Sequence, residues 1–316
     1  MLVYTINRLI QLIPVLLLVS IIVFSFVHFL PGDVIDVLAG EEEIEDPEVR
    51  AALEKEFGLD KPIYVQYLVW LGRVVQGNFG NSLVTRRPIA LELFERIPAT
   101  IYLALVSIGF AMVISIPLGT LASVKRNSLV DYTAQTTSLL GISIPEFWFA
   151  IMCILFFSLY LGWLPSSEYY SPTENLGKSL KHLVLPALAV GFRQAAYTTR
   201  LTRSSMLDEV HKEYVDTARS LGLPEWKVLY KYTLRNALIP TLTISGIQLY
   251  QLLGGTVVVE TIFAWPGIGR AIFEAIVSRD FPLIQAGVLV LATFAVTINL
   301  LVDLMYRLLN PRVRLA

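Results

Sequence analysis

Two charged side chains stand where a lipid-embedded helix would not carry them without cause. Arg193 lies inside the weakly apolar stretch from Leu183 to about Leu207, and Glu146 follows Pro145 inside a longer apolar run. An arginine at mid-bilayer costs about 2.5–3.5 kcal/mol on insertion scales, so it must face a cavity or a partner. A proline in a spanning helix opens the backbone ladder and creates a polar spot. Arg193, Glu146 and Gln248 therefore read as the lining of a polar pathway through a membrane, with Tyr250 and Gln251 as further candidates. The competing readings are structural. Arg193 can be paired with an acid or with carbonyls, and Tyr250 and Gln251 can belong to tight packing around Gly246, Gly254 and Gly255.

Catalytic chemistry finds little support. His28, His182 and His211 stand in no metal-ligand pattern such as HExxH. Ser143, in Gly141-Ile142-Ser143-Ile144-Pro145, has no histidine at its depth, which speaks against an intramembrane hydrolase. Gly254-Gly255-Thr256 is not followed by the lysine of a phosphate-binding loop, so any ATP is bound elsewhere. The single cysteine, Cys153, excludes an intrachain disulfide and reads as a small buried hydrophobe.

The elements that must position these residues are long apolar helices. Hydrophobic residues make up 55% of the 316 positions and charged ones 16%, with a mean hydropathy of +0.62. Soluble domains run about 45–50% apolar and about 25% charged, so the chain reads as an all-α integral membrane protein. The net charge of −1 gives no case for nucleic acid. Crossing a hydrocarbon layer takes about 20 helical residues. The first span is Leu9–Leu30, too long for the core of a signal peptide. Ala99–Val124, Tyr132–Leu161, Leu183 to about Leu207, Ala237–Val259 and Leu283–Leu309 are the others. The fourth is the weakest.

Three domains follow: the N-terminal tail and first helix (1–30), a helical extramembrane insertion (31–98), and a core of the other five spans (99–316). The insertion carries the acidic run Glu41 to Glu48, a short helix over Val49–Phe57, and an amphipathic helix over Ile63–Val75. Tyr64, Tyr67, Leu68 and Leu71 are expected on one side of that second helix. Trp265-Pro266-Gly267 turns the chain, and Ile268, Ala271, Ile272, Ala275 and Ile276 give a short amphipathic helix.

The longest polar segment of the second half is Asp208–Pro240, and its loop is set at 208–236. It reads as two amphipathic helices in tandem. Leu207, Val210, Tyr214, Ala218 and Leu221 share a face of the first, and Gly222 supplies a left-handed stop. Pro224 and Glu225 open the second. Trp226, Leu229, Tyr230, Thr233 and Leu234 share a side of it, and Lys227, Lys231 and Arg235 form a basic stripe. The first helix carries acids as well as bases, which favours docking to a soluble protein over lying on anionic headgroups.

Basic residues give the orientation. Arg8, Lys125, Arg126, those from Arg200 to Arg235, and Arg307, Arg312 and Arg314 fall on one side. The short loops opposite hold only Lys178, Lys181, Arg270 and Arg279. Both termini and the 208–236 loop are therefore expected in the cytoplasm, and the 31–98 insertion outside.

Asp216-Thr217-Ala218-Arg219-Ser220-Leu221-Gly222 resembles the EAA motif of ABC-importer permeases, with Asp and Thr at its first two positions. Leu234-Arg235-Asn236-Ala237-Leu238-Ile239-Pro240 then resembles the peptide/nickel subfamily. Leu30-Pro31-Gly32-Asp33, Gly141 through Trp148, Arg203-Ser204-Ser205-Met206-Leu207, Glu260 through Gly269, and Asp303 through Arg314 agree with it in order along the whole chain. The resemblance implies a type I importer permease, the first of two paired permeases, in a prokaryotic inner (cytoplasmic) membrane. It implies as partners a second permease, two ATPase subunits and an extracytoplasmic binding protein. It also implies no catalysis and no cofactor in this chain, ATP and Mg²⁺ being bound by the partner subunits. Glu213, Asp216, Thr217, Ala218, Arg219 and Gly222 become the ATPase-coupling element. The resemblance implies di- or oligopeptides as the substrate, with nickel, glutathione or an oligosaccharide as the alternative within the family. A membrane assembly or receptor subunit using the same loop without transport remains the alternative of another class.

Overall fold

The computed structural model describes residues 2–29 and 60–309, with side chains over 10–25 and 60–302. Leu30–Asp33, the acidic run, the Val49–Phe57 helix, the Asp303 side chain and Pro311–Arg314 lie outside the described residues. The described elements are helices, apart from one isolated antiparallel bridge between Asn81 and Pro88. In chain order they are α1 (Leu2–Phe29), α2 (Ile63–Val75), α3 (Ile89–Val124), α4 (Leu129–Ser143), α5 (Glu146–Cys153), α6 (Leu176–Glu209), α7 (Glu213–Ser220), α8 (Glu225–Lys227), α9 (Leu234–Gly255), α10 (Val257–Ile262), α11 (Ile268–Val277) and α12 (Phe281–Leu309). Wider π-helical turns continue α5 over Ile154–Tyr160 and join α8 to α9 over Val228–Thr233.

Seven of these helices, α1, α3, α4, α5, α6, α9 and α12, fall on the six expected spans. Taken singly, α3 and the Phe281–Val302 part of α12 are long and apolar enough to cross a bilayer. The third expected span is two helices bent by 106°. Pro145 is the cause. It has no N–H to donate, and it disfavours helical backbone at the residue before it. Ile144 is accordingly extended at ψ 128°. The fifth span also stops early: α9 ends at Gly255, Thr256 leaves the helix, and α10 restarts the chain.

The chain divides into two compact units, Met1–Pro98 with Pro266–Val296, and Ala99–Trp265 with Thr297–Ala316. In the first, Ile89, Leu93, Ile268, Ile272, Phe281 and Ile284 form the buried core. Ser82 hydrogen-bonds Asp280 beneath the surface. The α11 face is as expected at Ile268, Ala271, Ile272 and Ala275, whereas Ile276 is exposed. In α2 the packed side chains are Tyr67 and Trp70, which meet the Phe24 ring at 5.4 and 5.5 Å. The Tyr67 and Ser20 hydroxyls are 2.9 Å apart. Tyr64 and Leu68, expected on the same side, are exposed.

The second unit is built on α6. Its buried face is made of small residues, among them Ala187, Ala189, Gly191, Ala195, Ala196 and Thr198. Small side chains let helix axes approach closely where apolar burial from water is not the driving force. The approach is close at Gly191, where a Cβ would stand 2.8 Å from the Ser107 carbonyl oxygen and 2.9 Å from the Phe110 ring. Polar pairs stitch α6 to its neighbours. Thr198 donates to Gln248 Oε1 at 3.1 Å, and the Thr202 and Thr241 hydroxyls are 3.2 Å apart. Asp131, fully buried at the start of α4, takes a two-pronged bond from Arg203 of α6 at 2.5 and 2.7 Å. Gln135 Nε2 and the Asn127 N–H donate to the same carboxylate, each at 2.9 Å. At the other end, Trp265 is buried and donates its indole N–H to the Ala99 carbonyl at 2.9 Å. Beside it the Glu260 carboxylate, also buried, accepts from Thr100 and Thr256 at 3.0 Å each.

Two outcomes follow for stability. Gly191→Ala forces backbone against side chain and costs about 1–3 kcal/mol, whereas Gly109→Ala, with nothing near the new methyl, is neutral or slightly stabilising. Thermal unfolding of the purified chain in detergent separates the two. Asp131→Ala leaves the Arg203 guanidinium unpaired and destabilises by about 3 kcal/mol, and Arg203→Met in the same background restores part of it. A double-mutant cycle with no coupling between the two positions contradicts the pairing.

Candidate functional site

The 208–236 segment has a core of its own. Helix α6 runs on past the expected end of its span to Glu209, and Val210 to Lys212 then break it. The Leu207 and Val210 positions expected in the first short helix therefore belong to α6 and its cap. Helix α7 buries Val215 and Ala218 against Val228, with Tyr214 and Leu223 packed alongside. Its end is a Schellman motif: the Gly222 N–H bonds Arg219 O at 2.9 Å and the Leu223 N–H bonds Ala218 O at 3.4 Å. This geometry puts Gly222 at φ +73°, a region in which a side chain costs about 1–2 kcal/mol. The expected glycine stop is in place.

The second short helix is not separate. Its backbone passes from α8 through the π turn into α9, so the loop is clamped to α6 at one end and α9 at the other. The π turn also rotates the packing face. Val228 and Thr233 are buried, while Trp226 and Tyr230, which spacing puts on the same side as Thr233, are 61% and 53% exposed. Leu221, which spacing puts on the same face as the buried Ala218, is 75% exposed.

Charges on the segment are largely paired within it. Arg219 bridges Glu225 at 2.9 Å and Asp216 at 3.2 Å. Glu209 holds Lys212 and accepts from the Tyr214 hydroxyl at 2.6 Å. The Glu209 carboxylate keeps the Lys212 ammonium above the usual lysine range. Exposed pairs contribute little each, about 0–1 kcal/mol, so they set the loop's shape more than its stability. Of the six expected coupling residues, Ala218 is buried and Glu213, Asp216, Thr217, Arg219 and Gly222 are on the surface. The lysines and arginine of the basic stripe are exposed as well.

The intramembrane candidates converge elsewhere. A cavity of about 540 Å³ is lined by Glu146 at the start of α5, Arg193, Gln194 and Tyr197 of α6, and Gln248 and Gln251 of α9. The break at Pro145 aims Glu146 into this space, and α6 and α9 supply the other walls. Tyr250, half a helical turn away from this face, does not line it. Gln194 and Tyr197 were not among the chosen pathway residues; their spacing around Arg193 on one helix, one and four positions on, was the available signal. Among the described residues no cluster of His, Cys, Asp and Glu has the makings of a metal site.

Family models match the chain almost end to end. Residues 115–315 match the inner membrane component of binding-protein-dependent transport systems, and residues 1–104 match its N-terminal region. The dipeptide transport system permease protein DppB of Alkalihalophilus pseudofirmus is 40% identical, over 99% of this chain and all of the relative. The glutathione transport system permease protein GsiC of Escherichia coli K12 is 41% identical, over 99% of both. Among solved structures, an inward-facing MetNI methionine ABC transporter superposes with a TM-score of 0.58 at 18% identity, covering 70% of this chain and 97% of that one. An amino acid ABC transporter gives 0.52 at 14% identity, covering 69% and 94%. The helices are thus arranged as in ABC-importer permeases of type I, and the chain belongs to the family of inner-membrane components of binding-protein-dependent transport systems.

Proposed function

We propose that this chain is a permease subunit of an ATP-driven importer of di- or oligopeptides. The observation that carries the substrate class is the 40% identity to dipeptide permeases across the whole of both chains. A second permease subunit completes the translocation pathway, two ATPase subunits hydrolyse ATP and Mg²⁺ is theirs, and an extracytoplasmic binding protein delivers the peptide. Both termini and the 208–236 loop are cytoplasmic, and the 31–98 insertion is outside. The glutathione permease relative keeps glutathione as the nearest alternative substrate.

In this reading α7 is the coupling element. It is a short helix with its own buried core, clamped between α6 and α9, and those two helices wall the cavity with Arg193, Gln248 and Gln251. A push on α7 therefore reaches the pathway through rigid helices rather than a slack linker. Alternating access of this kind needs rigid bodies that rock about a fixed site. The exposed surface offered to the ATPase is Glu213 and Thr217 with Leu221, Trp226 and Tyr230. Asp216 is already engaged by Arg219, so it shapes the helix as much as it meets a partner. With domains at 1–30, 31–98 and 99–316, the 31–98 insertion and, from the core domain, the α11 region are the parts that meet the binding protein.

Gly222→Arg forces a side chain into left-handed backbone and adds a cation beside Arg219. The complex still reaches the membrane, but ATP turnover stimulated by the loaded binding protein falls to the unstimulated rate. ATPase assays on purified complex read this directly, and normal stimulation in the variant contradicts the role given to α7.

A further inference from the structure

The cavity walled by α5, α6 and α9 holds two opposite charges that do not satisfy each other. Glu146 Oε1 is buried and accepts no hydrogen bond. Arg193, on the facing helix, forms neither a hydrogen bond nor an ion pair with any described residue, and both side chains line the same space. Gln248, on the same lining, is buried and fixed, because Thr198 donates to its Oε1. That bond turns the amide so that its Nε2 donors remain for something in the cavity. A buried acceptor without a donor is costly to leave unmet, and the exposed Arg193 side chain keeps its guanidinium open to a ligand. Native structures rarely leave such groups unmatched unless a ligand or an ion completes them. The space, about 540 Å³, is within the ordinary range for small-molecule sites.

The groups left open define the ligand. It must bring N–H donors with positive charge to Glu146 and an anion with two parallel acceptors to the guanidinium of Arg193, whose fork matches a carboxylate. It must also bring a carbonyl oxygen to the Gln248 amide. A short zwitterionic peptide carries all three: an α-ammonium, a peptide carbonyl and an α-carboxylate. We propose that this cavity is a holding site for such a peptide in transit, with Glu146 taking the ammonium end, Arg193 the carboxylate end and Gln248 a backbone carbonyl. The proposal rests on the peptide-importer reading and adds to it that the permease itself, and not only the binding protein, recognises the two termini.

The test uses the full complex in proteoliposomes, with wild-type binding protein loaded with radiolabelled alanyl-alanine. Uptake is divided by ATP hydrolysed, and assembly is checked by co-purification of the second permease. In Glu146→Gln and in Arg193→Met the peptide carried per ATP falls roughly tenfold, about the worth of one charge-assisted hydrogen bond. Glu146→Asp and Arg193→Lys recover part of it. Unchanged uptake per ATP in both neutral variants overturns the site. So does failure of either variant to co-purify with the second permease, because the charges are then pairing across subunits. If the wild-type complex hydrolyses ATP but carries no alanyl-alanine, the peptide reading itself is wrong, an outcome distinct from the other two.

Discussion

The close approach of α6 to its neighbours is the constraint on which the core of this permease depends. Most of its buried face is alanine, glycine and threonine, and no side chain fits where Gly191 meets the Ser107 carbonyl. Between lipid-embedded helices there is little hydrophobic gain from association, so contact area and hydrogen bonds must supply the adhesion. α6 supplies both, through small residues along its length and through Thr198, Thr202 and Arg203 at intervals. This also explains its low hydropathy. A helix that packs a long face of small and polar residues on protein need not be apolar all round, and it can carry Arg193 toward a cavity.

The same rigidity links the two candidate sites. α6 leaves the cavity at Arg193 and Tyr197, passes the Arg203–Asp131 pair and ends at Glu209, where the loop core begins. α9 returns from the loop through Thr241 to Gln248 and Gln251. The small core of Val215, Ala218 and Val228 holds the turn between them, and the Schellman motif at Gly222 fixes its shape. Loop and cavity are thus joined by one helical pair.

Much of this was legible in the residues. Span positions followed from apolar length, the α7 stop from Gly222, and the cavity charges from the cost of burying Arg193 and Glu146. What spacing could not show was which face turns inward. A constant 3.6-residue period groups Thr233 with Tyr230, but the π turn at Val228–Thr233 buries Thr233 beside Val228 and leaves Tyr230 exposed. Spacing likewise groups Leu221 with Leu207 and Val210, but the break at Val210–Lys212 resets the phase and Leu221 is exposed. Pro145 signals a polar spot in the third span, but the size of the bend, 106°, is not legible from one residue type. Asp131 and Arg203 lie far apart in sequence, and only folding brings them together.

The central claim is that α7 and the exposed residues beside it are held by an ATPase subunit. The most direct measurement is a cross-link from Leu221→Cys in a Cys153→Ala background, which makes it the single thiol of this chain. In the assembled, ATP-hydrolysing complex the account predicts a product with an ATPase subunit. A product with the extracytoplasmic binding protein instead, or none with the ATPase while turnover is intact, contradicts it.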